Sequence, residues 1–177
     1  SLMALFMPMI TDLYSKKKFK EIKSISRINL RWIFMLNFPV FLLIFLFSRE
    51  ILNIMFGSEY IIATGALLIL ITGYLIHSLS HVYSAIINII KKNNMILYIG
   101  LIATFVNILL NYLLIPKIGI MGGAIATSSS LILIFLLSSL VVYKLTTIQP
   151  INLNYLKFIF VGFLSFVIIY FLKNLFD

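Results

Sequence analysis

The chain has 177 residues, of which 62% are hydrophobic and only 11% charged, and its mean hydropathy is +1.13. A soluble domain is about 45–50% apolar and about 25% charged, so this composition excludes a water-soluble core and indicates a protein surrounded by lipid. The absence of cysteine excludes a disulfide scaffold and thiolate metal or redox sites. The net charge of +9 has two explanations, nucleic-acid binding and membrane topology, and the positions of the charges decide between them.

The chain opens on a short apolar run, SLMALFMPMI. It is about half as long as the roughly 20 residues that cross a bilayer. We predict that it is the end of a transmembrane helix whose beginning lies upstream, and a short interfacial segment is the alternative. It lacks a basic flank and a small-residue cleavage site, so a signal peptide is not predicted.

Residues 11–31 form the one strongly polar segment, with seven Lys or Arg residues and two acids. We predict a basic loop that contains a short amphipathic helix, because Phe19, Ile22 and Ile25 recur every three residues. Two roles stay open for it. It anchors the chain to anionic lipid headgroups, or it contacts an anionic substrate.

Hydropathy then predicts five full membrane spans, at 32–56, 61–90, 95–115, 120–143 and 155–172. We expect a kink at Pro39 in the first span, and bending at Gly65 or Gly73 in the second, which is too long for a bilayer. The predicted fold is an all-α polytopic membrane helix bundle of five full transmembrane helices plus the N-terminal partial helix. Residues 1–145 form the helical bundle and residues 146–177 add one further transmembrane helix.

The third and fourth spans form a hairpin with a very short turn. Pro116 ends its first run, and Gly119 begins its second. Gly119 and Gly123 make a GxxxG pair, which predicts close packing between helices.

The Lys and Arg residues predict the orientation of the spans. Loops 11–31, 91–94 and 144–157 carry eleven of the fourteen, and Arg49, Lys117 and Lys173 are on the other side. The first set is therefore expected in the cytoplasm of a multi-pass protein of the cell membrane. Topology accounts for the positive charge, and no nucleic-acid partner is predicted.

Polar residues within apolar spans mark candidate functional positions. One predicted helix carries His77, His81, Ser84 and Asn88 on one face, and the next carries Asn107 and Asn111 with Gly100 and Thr104 at the same spacing. Interhelical hydrogen bonding and the lining of a polar cavity are both open for them. A metal site at the histidines would need a further ligand, and no Asp, Glu or Cys accompanies them.

No span carries Asp or Glu at its middle, whereas proton- or sodium-coupled transporters usually have such a carboxylate. The sequence also lacks a nucleophile elbow, paired carboxylates and a phosphate-binding loop. We therefore predict no enzymatic activity and no cofactor.

The hairpin resembles a known family. NILLNYLLIPKIGIMGGAIAT, at 107–127, is similar to the signature of polysaccharide-unit flippases in the multidrug/oligosaccharidyl-lipid/polysaccharide exporter superfamily, with Gly123 where that family usually has Ala. The flanking stretches LFMPMITDLYSKKKFKEI and REILNIMFGSEYIIATGALLIL resemble the same proteins. The resemblance covers essentially the whole chain.

The resemblance implies that the chain is the C-terminal half of a transporter with two six-helix bundles. It implies that the missing N-terminal bundle is a partner and that a lipid-linked saccharide is flipped across the membrane by alternating access. The glycan would lie in a cleft between the bundles while its lipid stays among membrane lipids. The candidate residues for this pathway are Arg27, Arg31, His77, His81, Asn107 and Asn111.

Three other functions stay open beside the flippase. A multidrug or toxin antiporter of the same superfamily would be expected to expose an acidic group to a cationic substrate. A membrane glycosyltransferase would need a large extramembrane loop, which the sequence lacks. A membrane scaffold without transport is the third.

Overall fold

The structure, a computed structural model, describes residues 2–16 and 18–146. Every regular element in this part of the chain is helical, which confirms the predicted all-α class. The α-helices are α1 (Leu2–Ser15), α2 (Phe19–Leu46), α3 (Ser48–Phe56), α4 (Thr64–Ser78), α5 (Ser80–Ile89), α6 (Asn93–Ile118) and α7 (Ile120–Thr146), and a 3₁₀ helix (Ser58–Ala63) joins α3 to α4.

Within the described residues, four helical segments are long and apolar enough to cross a membrane: Phe19–Leu46, Ser58–Ile89, Asn93–Ile118 and Ile120–Thr146. They correspond to the first four predicted spans. The fifth, 155–172, lies outside the described residues, so the predicted total of five and the appended helix of 146–177 stay predictions.

The basic segment 11–31 is mostly helix rather than loop, which corrects the prediction for it. Helix α1 ends at Ser15 and α2 begins at Phe19. The segment folds because Ile22 is buried with Ile10, Leu13 and Ile89 in one apolar cluster. The predicted amphipathic helix is therefore the first part of α2.

Interruptions of the long helices lie away from the predicted positions. Helix α2 runs through Pro39 to Leu46, and Phe47 separates it from α3. Helix α4 continues through Gly65 and Gly73, and the interruption falls at Leu79, whose N–H donates to the carbonyl of Ile76. That three-residue hydrogen bond tightens the last turn before α5 begins.

The hairpin turn also differs in detail. Helix α6 extends past Pro116 to Ile118, and Gly119 alone connects it to α7. Gly119 has a φ of +57°, in the region that favours glycine. The sharp reversal therefore depends on this residue.

Helix α7 is central to the described bundle and lies between α4 and α6. Toward α4, its Ser128 hydroxyl donates to the carbonyl of Ile69 at 2.7 Å. A Cβ on Gly73 would lie 2.8 Å from Ser128. Toward α6, a Cβ on Gly122 would lie 2.6 Å from the carbonyl of Leu114. Small residues on both sides let three backbones approach closely.

Large apolar side chains fill the core at one end of the bundle. Its members come from α2, α5, α6 and α7 and are Leu30, Val82, Tyr83, Ile86, Ile87, Ile99 and Val142. This is the end where Lys16, Lys91, Lys92 and Lys144 lie, and we call it the basic end.

Candidate functional site

The two asparagines predicted to face inward form a hydrogen-bonded chain between α6 and α7. The Asn111 amide donates to Asn107 Oδ1 at 3.0 Å, and the Asn107 amide donates to Ser130 Oγ at 3.2 Å. Ser130 in turn donates to the carbonyl of Thr127 at 2.7 Å. Both asparagines are half-buried, so they hold the helices together and still present polar atoms at the edge of the pair.

A double-mutant cycle tests the bond between the helices. Asn107→Ala and Ser130→Ala are expected to show a coupling energy of about 0.6 kcal/mol, the average for hydrogen bonds between membrane helices. Unfolding in detergent micelles measures it. Ser129→Ala, at the neighbouring position and not bonded to Asn107, is the control. A coupling of zero between Asn107 and Ser130 would contradict the bond.

His77 and His81 lie on either side of the interruption at Leu79. Their ring centroids are 5.4 Å apart, with the planes at 71°. His77 is half-buried and His81 is exposed. Further along α5, Ser84 is half-buried and Asn88 is exposed.

An apolar cavity lies between three of the spans. Thr72 of α4 lines it with Phe45 of α2 and Ile125 of α7. Gly73 also lines it, and His77 follows Gly73 by four residues, so His77 lies one turn beyond the cavity on nearly the same side of α4. On α7, Thr127 lies two residues from Ile125 and is turned about 160° from it. Thr127 therefore points away from the cavity, whereas His77 lies beyond its edge.

Contacts between helices fix the relative heights of these groups. Asn107 pairs with Ser130, and Ser128 lies against Gly73. At 1.5 Å per residue, His77 and Asn107 come within about 5 Å of the same height, close to the middle of α6. The histidine pair and the asparagine pair stay separate, because α7 lies between α4 and α6. No hydrogen bond joins the two pairs within the described residues.

Arg27 and Arg31 lie near the basic end, one turn apart on α2. Arg27 is half-buried and Arg31 is exposed. Leu30, next to Arg31, packs in the same cluster as Val82 and Tyr83. Arg31 is therefore close in height to His81. The two arginines and the two histidines thus lie at successive heights between the basic end and the middle of the bundle, with Arg27 nearest that end and His77 nearest the middle.

The glycines of the hairpin differ from the prediction. Gly119 has open space around its Cα, and Asn111 Oδ1 is the nearest group to Gly123, at 3.7 Å from a Cβ built there. The close helix contact is made by Gly122 instead, so the GxxxG prediction names the wrong register. The spacing Gly122, Ala126, Ser130 is visible in the sequence and marks the face that packs on α6.

Sequence reasoning also missed Gly73 and Ser128 as a contact pair. Nothing in either residue alone indicates that they meet 55 positions apart, because that contact depends on how α4 packs on α7. Among the described residues, no group of three His, Cys, Asp or Glu side chains is placed to hold a metal ion.

Comparison with known proteins identifies the family of this bundle. The MatE family matches residues 2–113, which is more than half of the chain. The chain belongs to the MatE family. The resemblance to the multidrug/oligosaccharidyl-lipid/polysaccharide exporter superfamily is thus confirmed at the level of the family.

Two relatives of this MatE chain are archaeal. It is 30% identical over 123 residues to a probable low-salt glycan biosynthesis flippase, Agl15, of Haloferax volcanii. This alignment covers 70% of the chain and 26% of the relative. It is 32% identical over 178 aligned positions to an uncharacterized membrane protein, MJ1068, of Methanocaldococcus jannaschii, which covers 98% of the chain and 34% of that relative. The chain thus spans about a third or less of their lengths. No solved structure matches it.

Proposed function

We propose that this MatE chain is part of a flippase that moves a lipid-linked saccharide across the cell membrane. The observation that carries the proposal is the set of polar groups within the spans, which we take to form one polar face. These groups are His77, Thr127 and the asparagine chain, with Arg27 and Arg31 toward the basic end. The name of the Haloferax relative supports a glycan as cargo.

The chemistry of the cargo fits this face. A glycan in the hydrocarbon layer needs partners for its hydroxyl groups, since an unpaired polar group there costs about 2–7 kcal/mol. Asn107, Asn111 and His77 offer donors and acceptors near the middle of the membrane. The arginines at the basic end suit the diphosphate that links many glycans to their lipid, because guanidinium groups bind phosphate through paired hydrogen bonds.

The proposed mechanism is alternating access. The polar face of this bundle meets a second helical bundle outside the chain, and the glycan occupies the cleft between them while its lipid remains in the bilayer. With the basic end in the cytoplasm, the cargo enters past Arg31 and leaves at the end of Gly119. A multidrug antiporter of the same family is the alternative, and it would carry a cation past a face that has no carboxylate at its middle.

Transport by the full-length protein in proteoliposomes tests the proposal. A fluorescent lipid-linked oligosaccharide is expected to become accessible to a membrane-impermeant quencher, and Arg31→Gln is expected to slow the initial rate about three- to tenfold by removing a charged hydrogen bond to phosphate. Lys144→Gln, an exposed cation at the same end, is the matched control. Uptake of an organic cation without movement of the saccharide would favour the antiporter.

A further inference from the structure

An apolar cavity of about 470 Å³, open to the surroundings of the bundle, lies between α2, α4 and α7. This volume is in the range of sites that hold small ligands, about 300–1,000 Å³. Its lining includes Phe45, Leu68, Thr72, Ile125, Ser128 and Ile132. We call it the α2–α4–α7 cavity.

Two of the three hydroxyl groups of the lining, those of Thr72 and Ser128 but not that of Ser129, are already bonded within the chain. Thr72 donates its hydroxyl to the carbonyl of Leu68 at 2.8 Å, and Ser128 donates to the carbonyl of Ile69 at 2.7 Å. What the cavity offers a ligand is thus mainly hydrocarbon, from Phe45, Leu68 and the two isoleucines. A polar glycan would lose hydrogen bonds there, whereas a hydrocarbon chain would lose none.

The height of the cavity places it in one half of the bilayer. Ile132 is at about the height of His77, near the middle, whereas Phe45 is close to the end of α2 that lies opposite the basic end. A chain entering from the nearer leaflet would therefore reach from the membrane surface to its midplane along these residues. Lipid tails of one leaflet have this reach, because the hydrocarbon core is about 30 Å thick.

A cationic residue follows the cavity-lining Phe45 in the chain. Arg49 is four residues after Phe45, is exposed, and makes no ion pair within the described part of the chain. Arg49 lies just beyond the end of α2 that is opposite the basic end. It is thus at the height of lipid headgroups, where a guanidinium binds phosphate.

We propose that the α2–α4–α7 cavity binds one acyl chain of a phospholipid from the leaflet opposite the basic end, with its phosphate on Arg49. The site is a resident lipid site, and it does not depend on whether the protein moves a saccharide. It combines a hydrocarbon-lined cavity with a cation four residues beyond Phe45 in the chain.

Native mass spectrometry of the full-length transporter in mild detergent tests the site. The protein is expected to retain one phospholipid. Ile125→Trp, which fills the cavity, is expected to lower the lipid-bound fraction about fivefold or more. Leu136→Trp adds the same side chain at an exposed position of α7 outside the cavity and is expected to leave retention unchanged.

The headgroup contact is tested by variants that leave the packing intact. Arg49→Gln is expected to lower the bound fraction about three- to tenfold, and Arg49→Lys to restore most of it. A phospholipid with a photoreactive group midway along its acyl chain should label the residues that line the cavity. Absence of a retained lipid, equal retention in the two tryptophan variants, or labelling confined to other surfaces would overturn the proposal, and labelling blocked by another protein segment would assign the cavity to that segment.

Discussion

Gly122→Ala is expected to destabilise the bundle by about 1–3 kcal/mol, although alanine is the better helix former by about 1 kcal/mol. The added Cβ would lie 2.6 Å from the carbonyl carbon and oxygen of Leu114 and 2.8 Å from the nitrogen of Ile115. These are backbone atoms of α6, so no side-chain rotation relieves the clash, and α6 and α7 must move apart. The unfolding midpoint of the purified protein in detergent measures the effect.

Gly123→Ala is the matched control for this substitution. It lies on the next residue of the same helix, and its Cβ would meet only Asn111 Oδ1, at an ordinary contact distance of 3.7 Å. We expect this variant to be as stable as the natural chain or up to about 1 kcal/mol more stable. Equal midpoints for the two alanine variants would show that α6 and α7 do not approach as closely as described.

The double substitution His77→Ala and His81→Ala is expected to lower the transport rate about tenfold, equivalent to about 1.4 kcal/mol, with normal expression and folding. The imidazoles lie together on the polar face, one of them near mid-height, and their removal leaves apolar surface where a polar cargo must pass. Since His81 is exposed and His77 half-buried, truncation opens no large internal cavity. Initial rates in proteoliposomes, normalised to the amount of folded protein, measure the loss.

Two further variants separate a role in transport from a role in packing. Ser78→Ala lies between the histidines, but its hydroxyl donates to the carbonyl of Leu75, so transport should be unchanged. Replacement of both histidines by glutamine keeps hydrogen-bonding groups on the face and should retain most of the activity. Unchanged transport in the double alanine variant would reduce both histidines to structural residues.

Much of this fold follows from hydropathy and period alone. The spans around residues 32–56 and 95–115 are apolar over the thickness of a bilayer, and the structure has α2, α6 and their neighbours there. The four-residue spacing of His77 and His81 predicts that they are neighbours, and their rings are 5.4 Å apart. Such patterns are local, so one sequence is enough to read them.

The register of helix packing and the positions of the helix interruptions could not be predicted from the sequence, because they depend on contacts between distant residues. Whether Gly122 or Gly123 packs on α6 is decided by the register of the hairpin, and the two alternatives differ by one residue. The interruption at Leu79 carries no glycine or proline signal, whereas α4 is continuous through Gly65 and Gly73, which lie against Met121 and Ser128 of α7. The period of Phe19, Ile22 and Ile25 indicates a helix, but its full extent depends on the cover that α1 and α5 give to its buried side.

The single-residue turn at Gly119 also bears on how the bundle assembles. The contacts of α6 with α7 join residues close in the chain, as Leu114 and Gly122 are, so closing that pair costs little chain entropy. The contact of Gly73 with Ser128 closes a much longer loop, and it can form only when both α4 and α7 are in the membrane. We therefore expect α6 and α7 to enter the bilayer as a preformed pair, whose surface α4 then recognises. The order of assembly would thus run against the order of synthesis for these helices.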